Sequence, residues 1–98
     1  MAISPLLNAT KTFSNISATP ASFPLRGGLY AVTAKGTWSA GSATLQRLAA
    51  DNATYVTVLA AFLADGFATV NLVPGTYRVL IATATAVYID IIAIATDL

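Results

Sequence analysis

The sequence predicts an all-β fold: a small antiparallel β-sandwich, either jelly-roll-like or immunoglobulin-like, with an extended N-terminal arm. Short segments of the chain alternate between apolar and polar side chains with a period of two, which is typical of half-buried strands. Gly, Pro, Asn and Asp residues separate these segments at short spacings, and helical periodicity is weak throughout. We therefore expect about seven or eight short strands in a single domain.

The N-terminal segment, residues 1–26, differs in composition from the rest of the chain. It contains three of the four prolines, among Ser, Thr and Asn residues. Because proline lacks the N–H that a sheet ladder needs, the segment is predicted to be an extended arm or an edge strand, with a short strand near residues 12–17. It is expected to wrap around the β-sandwich domain, residues 27–98, rather than to contribute to its core.

Alternation within the predicted strands assigns the core residues. In the strand at residues 29–34, Tyr30 and Val32 are predicted to lie in the core. The strand at residues 54–60 is predicted to turn Val56 and Val58 inward. In three other strands, alternation places the residues of each set on one face of their own strand. The sets are Ala43 and Leu45; Ala68, Val70 and Leu72; and Tyr77, Val79 and Ile81.

Turns are predicted where residues that tolerate unusual backbone angles occur. Residues 40–41 and 51–52 are expected turns, and the Asp-Gly pair at residues 65–66 indicates a β-hairpin. Residues 73–76 place Pro and Gly at the central positions of a type II turn, which requires a positive φ at Gly75.

The last two strands, residues 77–82 and 86–95, are predicted to pair as an antiparallel hairpin centred on Ala84. Residues equidistant from Ala84 then lie opposite each other, which places Arg78 beside Asp90. Opposite charges paired across a sheet stabilise it by about 0.2–1 kcal/mol.

The composition excludes most catalytic chemistry. The sequence contains no His, no Cys and no Glu, and its acidic residues are four Asp. A Ser-His-Asp or Cys-His arrangement is therefore impossible, and a zinc site would have only carboxylates as ligands. We expect no enzymatic activity, no cofactor, no metal and no disulfide framework.

Charge and hydropathy also argue against nucleic acid and membrane partners. A net charge of +1 is too small for the basic surface that phosphate backbones require. The mean hydropathy is +0.72, but Thr83, Thr85 and Asp90 interrupt the apolar run at residues 79–95, whose Val, Ile and Tyr side chains favour strands. The first residues lack a basic region followed by a long apolar stretch, so no secretory signal is predicted.

The C-terminal run, residues 86–95, is apolar on both faces, which predicts that both faces are covered. In so small a domain the second cover is expected to be another subunit. We therefore predict a homo-oligomer whose interface includes Ile92 and Ile94. With only 9% charged residues, the surface favours an assembled state over a free monomer.

Trp38, beside a glycine turn, is the residue most suited to an exposed ligand contact, such as stacking on a sugar. Core or interface packing is the preferred interpretation of the other aromatic candidates, Tyr30, Tyr55 and Tyr88.

Three oxygen-bearing residues, Asp51, Asn52 and Asp65, are of the type that ligates calcium. Turn chemistry explains them better, because Asp and Asn side chains hydrogen-bond their own backbone and tolerate left-handed conformations.

The order of these sequence motifs resembles small β-sandwich virion proteins of tailed bacteriophages and prophages. The motifs are Gly27-Gly28-Leu29-Tyr30, Gly36-Thr37-Trp38, Ser42-Ala43-Thr44-Leu45-Gln46, Thr54-Tyr55-Val56, Ala64-Asp65-Gly66 and Pro74-Gly75-Thr76-Tyr77-Arg78-Val79. The resemblance covers residues 27–94 and excludes the proline-containing arm. Proteins of this kind include capsid decoration (cement) proteins, head fibres and tail modules, so the resemblance implies a structural role with no catalytic residues.

The expected function is that of a structural virion protein, a capsid decoration protein that binds and stabilises the assembled shell. The expected partners are copies of itself, a trimer by the resemblance, and the major capsid protein or another virion protein. The expected location is the virion, after synthesis in the host bacterial cytoplasm. The arm is predicted to contact a neighbour by strand addition. Its apolar contact residues are Ile3, Leu6, Leu7, Phe13 and Ile16. The alternative is a receptor- or carbohydrate-binding module of a phage fibre or tail.

Overall fold

The computed structural model describes residues 10–94, which form eight β-strands and confirm the predicted all-β sandwich. The strands are β1 (Thr10–Ile16), β2 (Phe23–Leu25), β3 (Gly28–Thr37), β4 (Ser42–Leu48), β5 (Tyr55–Thr57), β6 (Gly66–Leu72), β7 (Gly75–Ala82) and β8 (Thr85–Ala93). They form two antiparallel four-stranded sheets. We call β1-β8-β3-β6 sheet I and β2-β7-β4-β5 sheet II.

The strand order is that of a jelly roll rather than of an immunoglobulin domain. The first four strands pair with the last four in reverse order: β1 with β8, β2 with β7, β3 with β6 and β4 with β5. The chain is therefore one long antiparallel hairpin rolled into two layers. Its turn lies between β4 and β5, near Asp51, and partners such as Tyr30 and Val70 lie at nearly equal sequence distances from that turn.

The core lies between the two sheets, on the inner face of each. It comprises Phe23, Leu25, Tyr30, Val32, Ala34, Ala43, Leu45, Leu72, Tyr77, Val79, Ile81, Ala84, Val87, Ile89 and Ile91. The prediction of Tyr30 and Val32 as core is confirmed, since neither has any exposed surface. Val56, predicted to turn inward, is 52% exposed because β5 is a three-residue strand at the edge of sheet II.

The N-terminal segment contributes two strands to the sandwich, so the prediction that it lies outside the core is wrong for residues 10–25. The edge-strand alternative describes this part, because β1 and β2 each lie at the edge of a sheet. Phe23 and Leu25 are buried, while Pro24 between them is exposed. An edge strand tolerates Pro24 because its missing N–H faces no further strand. Residues 1–9 of the predicted arm lie outside the described residues.

The predicted hairpin of the last two strands is wrong, because β7 belongs to sheet II and β8 to sheet I. Arg78 lies opposite Gln46, and Asp90 lies between Thr12 and Thr33. The alternation of apolar residues could not distinguish a hairpin from a crossing between sheets. Both connections turn the same residues of each strand toward the core.

The crossing from β7 to β8 depends on a tight fit with the turn that joins β3 to β4. Thr83 and Ala86 have positive φ values of 67° and 51°, which turn the chain from one sheet to the other. A side chain at Gly41 would overlap the carbonyl oxygen of Ala82, so only glycine fits where the two connections touch. The turn predicted at residues 40–41 is confirmed, with a positive φ at Ala40.

Two other predicted turns have a different geometry. The Asp65-Gly66 pair does not close a hairpin, since β5 and β6 lie in different sheets. Gly75 does not have the positive φ that a type II turn requires; among the described glycines, Gly28 alone has a positive φ, of 146°. Gly75 instead leaves space for a neighbour, because a Cβ there would lie 2.7 Å from Nε of Arg47.

The turn at residues 51–52 is confirmed, and it is built by its own side chains. Asn52 has a φ of 60°, and its N–H donates to the carbonyl of Ala49 at 3.0 Å. Asp51 Oδ1 accepts from the N–H groups of Ala53 and Thr54, both at 2.9 Å, and Oδ2 accepts from the Thr54 hydroxyl at 2.7 Å. The Thr54 hydroxyl, followed by these N–H groups, lowers the pKa of Asp51 to about 2.

Two buried tyrosines tie the loops that cross between the sheets. The Tyr30 hydroxyl donates to the carbonyl of Arg26 at 2.5 Å, and the Tyr77 hydroxyl donates to the carbonyl of Val73 at 2.5 Å. Each acceptor precedes its tyrosine by four residues, in the connection that leads into β3 or β7. Burial raises the pKa of both phenols, so each hydroxyl stays protonated and remains a donor.

Removing a tyrosine hydroxyl tests these ties. Tyr77→Phe keeps the ring in the core but removes its hydrogen bond, so we expect a loss of about 1–2 kcal/mol in the free energy of unfolding, measured with urea. Tyr88→Phe, on an exposed ring, is the matched control and should change it by less than about 0.5 kcal/mol. Equal unfolding midpoints for the two variants would show that the tie does not stabilise the fold.

The Asp51 turn predicts a pH dependence of stability. The folded-state pKa of about 2 lies below the ordinary value of 3.8, so the stabilisation is complete above that value and is lost as the pH falls toward about 2. Asp51→Asn keeps the Oδ1 acceptor and removes the titrating group. Between about pH 4 and pH 2 its stability should therefore fall less steeply than that of the natural chain, in urea titrations at each pH. Asp90→Asn is the control, and the same flattening in that variant would contradict the assignment to Asp51.

Candidate assembly face and ligand contacts

The outer face of sheet I is a candidate contact surface, and the strand register defines it. Alternation along β8 turns Val87, Ile89 and Ile91 toward the core and leaves Tyr88, Asp90 and Ile92 on the outer face. Three cross-strand rows follow from the pairing. They are Thr10, Ile92, Ala31 and Thr69; Thr12, Asp90, Thr33 and Phe67; and Tyr88 with Lys35.

This face exposes large apolar side chains. Phe67 is 65% exposed, Tyr88 46% and Ile92 43%. Between them lie Lys35, whose Nζ is 5.9 Å from the centroid of the Tyr88 ring, and Asp90. A neutral surface with exposed rings and an aliphatic side chain is suited to contact with another protein.

The interface residues predicted in the C-terminal run fall on this face or at its end. Ile92 is exposed on β8, and Ile94, just beyond it, is half-buried. The N–H of Ile94 donates to the carbonyl of Leu29 at 2.8 Å, which continues the pairing with β3. Their contact with another subunit stays a prediction.

Phe13 and Ile16, predicted contact residues of the arm, pack against the core of their own domain. The Phe13 ring lies 5.6 Å from the Phe23 ring, and Nζ of Lys11 lies 5.2 Å from the Phe13 centroid. Ile16 pairs with Val87 of β8. The other predicted contacts, Ile3, Leu6 and Leu7, lie outside the described residues.

Trp38, the predicted ligand contact, is half-buried against the core and uses its polar group within the chain. Its indole N–H donates to Asp65 Oδ1 at 2.9 Å, and the N–H of Gly36 donates to the same oxygen at 3.1 Å. These two bonds, the indole bond first, lower the pKa of Asp65. Asp65 therefore joins the end of β3 to the start of β6. Contact of Trp38 with a ligand stays a prediction.

The outer face of sheet II carries a polar and aromatic group that sequence reasoning missed. The Arg78 guanidinium lies 4.0 Å from the centroid of the Tyr55 ring, and its Nε donates to Gln46 Oε1 at 2.8 Å. Gln46 Nε2 approaches Thr57 Oγ1 at 3.4 Å. From the sequence, Tyr55 was predicted to be a packing residue and Arg78 to pair with Asp90. The group was missed because the strand topology decides which strands are neighbours, and no local pattern reveals it.

A cavity of about 240 Å³ lies at the end of the sandwich near Asp51. Arg47 lines it together with Asn52, Gly75 and Thr76. One terminal nitrogen of Arg47, Nη2, donates to the carbonyl of Pro74 at 3.0 Å, whereas its buried Nε has no hydrogen-bond partner among the described residues. Arg47 thus closes one end of the core and holds the loop between β6 and β7.

Residues 10–94 contain no helix long and apolar enough to cross a membrane. The same residues bring together no group of three His, Cys, Asp or Glu side chains that could hold a metal ion. Both carboxylate oxygens of Asp51 accept from donors of its own turn, as the turn interpretation predicted. The same interpretation is wrong for Asp65, whose Oδ1 accepts from Trp38 and Gly36, far away in the chain.

The geometry places the chain in the class of small jelly-roll β-sandwiches. Comparison with protein-family models, with curated proteins and with solved structures finds no match. The class therefore rests on the strand order and on the two-layer core.

The Trp38–Asp65 contact has a spectroscopic test, since Trp38 is the only tryptophan. Because the Asp65 pKa is lowered from 3.8, acidification below about pH 4 should change Trp38 fluorescence as the carboxylate is protonated. Asp65→Asn keeps an acceptor oxygen but should abolish this titration, and Asp90→Asn should retain it. A titration that persists in Asp65→Asn would assign the signal to another group.

Proposed function

We propose that this chain is a structural virion protein of a tailed bacteriophage, a capsid decoration (cement) protein that binds the assembled shell and stabilises it. The observation that carries the proposal is the outer face of sheet I. There Phe67, Tyr88 and Ile92 are exposed on a regular, four-stranded surface. Such a surface gains free energy when a partner covers it.

The composition supports an assembled state. A domain of about 100 residues leaves roughly a third of its unfolded surface exposed after folding. With 56% hydrophobic and 9% charged residues, much of that remaining surface is apolar. Burial against copies of the chain, a trimer by the resemblance, and against a shell protein removes this area from water.

The residue types support a structural role rather than an enzymatic one. The chain has no His, Cys or Glu, and two of its four Asp side chains serve the backbone and the Trp38 indole. No general base with an ordinary pKa near neutrality is present in the sequence.

The second candidate is a receptor- or carbohydrate-binding module of a phage fibre or tail. The stacking of Arg78 on Tyr55, on the outer face of sheet II, favours it. The two functions are compatible in one molecule, because they use opposite faces of the sandwich.

A short deletion is needed to measure how much the N-terminal contact residues contribute to binding. Removing residues 1–25 would take away β1 and β2 with the buried Phe23 and Leu25, so lost binding would follow from unfolding. Removing residues 2–9 leaves every described strand in place and takes away Ile3, Leu6 and Leu7. We propose that these residues contact the shell.

A charge on the outer face of sheet I tests the assembly proposal. Ile92→Asp should convert an oligomer to a monomer in light scattering at micromolar concentration. It should also lower the occupancy of the protein on purified phage particles by at least about tenfold, because burying an unpaired carboxylate is costly. Val73→Asp is the matched control, since Val73 is also exposed but lies in the loop between β6 and β7.

Two outcomes would contradict the proposal. One is a natural chain that is monomeric and never co-purifies with particles. The other is Ile92→Asp at full occupancy on particles that keep their resistance to heat.

A further inference from the structure

The four residues Gln46, Tyr55, Thr57 and Arg78 form a compact group on the outer face of sheet II. Arg78 and Gln46 lie directly opposite each other on β7 and β4, the two central strands of the sheet. Thr57 lies opposite Gln46, and Tyr55 is two residues away from Thr57 on β5. All four therefore stand on the same face of adjacent strands.

The Arg78 guanidinium is held in place on two sides. Its Cζ lies over the Tyr55 ring, 4.0 Å from the ring centroid, and its Nε donates to Gln46 Oε1 at 2.8 Å. Stacking and one charge-assisted hydrogen bond restrict the side chain without using its terminal nitrogens. Those nitrogens make no hydrogen bond to any other described residue.

No carboxylate of the same sheet neutralises Arg78. The strands of sheet II contain Arg47 and Arg78 and no acidic residue. Arg47 stands on the opposite face of β4 from Gln46, and it bonds the carbonyl of Pro74. Within the part of the chain that the structure describes, Arg78 is thus a fixed, half-exposed guanidinium with no acidic partner. Such a group can bind an anion with two oxygens, because the donor fork matches a carboxylate.

We propose that Gln46, Tyr55, Thr57 and Arg78 bind an acidic saccharide through its carboxylate. The carboxylate accepts two hydrogen bonds from the terminal nitrogens of Arg78. The Gln46 amide and the Thr57 hydroxyl, joined by a long bond of 3.4 Å, exchange that bond for the sugar hydroxyls beside the carboxylate. The half-exposed ring of Tyr55 packs against the C–H groups of the sugar ring.

The site is pre-organised, which lowers the entropic cost of binding. Three of its four residues lie within the ladder of adjacent strands β4 and β5, and Arg78 is held by two of them. Few side-chain rotamers therefore remain to be fixed by the ligand. The face is opposite the outer face of sheet I, so a ligand here does not compete with the proposed assembly contact.

The test uses small probes on the intact protein. The Nε–Hε resonance of Arg78 and the amide resonances of residues 46, 55 and 57 are followed by NMR at neutral pH. The probes are galacturonate, neutral galactose and acetate. We expect shifts that saturate with galacturonate, weaker binding of acetate by at least about threefold, and no saturable binding of galactose.

Variants assign the site to its residues. Arg78→Gln should weaken galacturonate binding by at least about tenfold, and Arg78→Lys, which keeps the charge but not the fork, should weaken it less. Lys35→Gln is the matched control, because Lys35 is also a cation beside an exposed tyrosine ring, but on sheet I. It should bind galacturonate like the natural chain. Unchanged amide spectra outside sheet II establish that each variant is folded.

The outcomes decide the proposal without reference to the particle. Equal affinity for galacturonate and acetate would overturn the saccharide assignment. Binding that survives Arg78→Gln, or that is lost in Lys35→Gln, would overturn the site. Saturable binding of galactose as tight as that of galacturonate would overturn the role of the carboxylate.

Discussion

The reverse-order pairing of the two halves of the chain is the constraint on which the rest of the structure depends. Each of the first four strands lies beside a strand of the second half, so no sheet forms from local segments alone. Among the eight described strands, only β4 and β5 are consecutive and paired as a hairpin, and the side chains of Asp51 and Thr54 form bonds within their turn. Every other connection between consecutive described strands crosses from one sheet to the other, and several of these crossings are held by side-chain hydrogen bonds.

A few side-chain hydrogen bonds and one glycine hold the crossings between the sheets. Two buried tyrosine hydroxyls bond the carbonyls that precede β3 and β7. At the C-terminal end of β3, Asp65 Oδ1 accepts hydrogen bonds from the Trp38 indole and the Gly36 N–H. Gly41 leaves the space in which two crossings touch. Backbone and side-chain hydrogen bonds thus fix the positions of the connections, while the apolar residues between the sheets provide most of the stabilisation.

Rolling the hairpin into two layers leaves two outer faces of different chemistry. The outer face of sheet I exposes Phe67, Tyr88 and Ile92 among threonines, with one cation and one anion, and it supports the proposed role in assembly. The outer face of sheet II presents an arginine stacked on a tyrosine. Because the faces are on opposite sides, a protein that attaches through sheet I turns sheet II toward solvent. This arrangement allows the proposed shell contact and the proposed saccharide site to be occupied at the same time.

The sequence by itself determined the all-β class, most of the inner residues after the N-terminal segment and the turn at Asp51, because alternation and turn chemistry are local properties. Tyr30 and Val32 could be assigned to the core from a period of two alone. Tertiary structure decided which strands are neighbours. The same alternation in β7 and β8 fits a hairpin or a crossing, so Arg78 was paired with Asp90 when its neighbours are Gln46 and Tyr55. Both the edge strands of the N-terminal segment and the site at Arg78 arise from pairings between residues far apart in the chain, which no local pattern specifies.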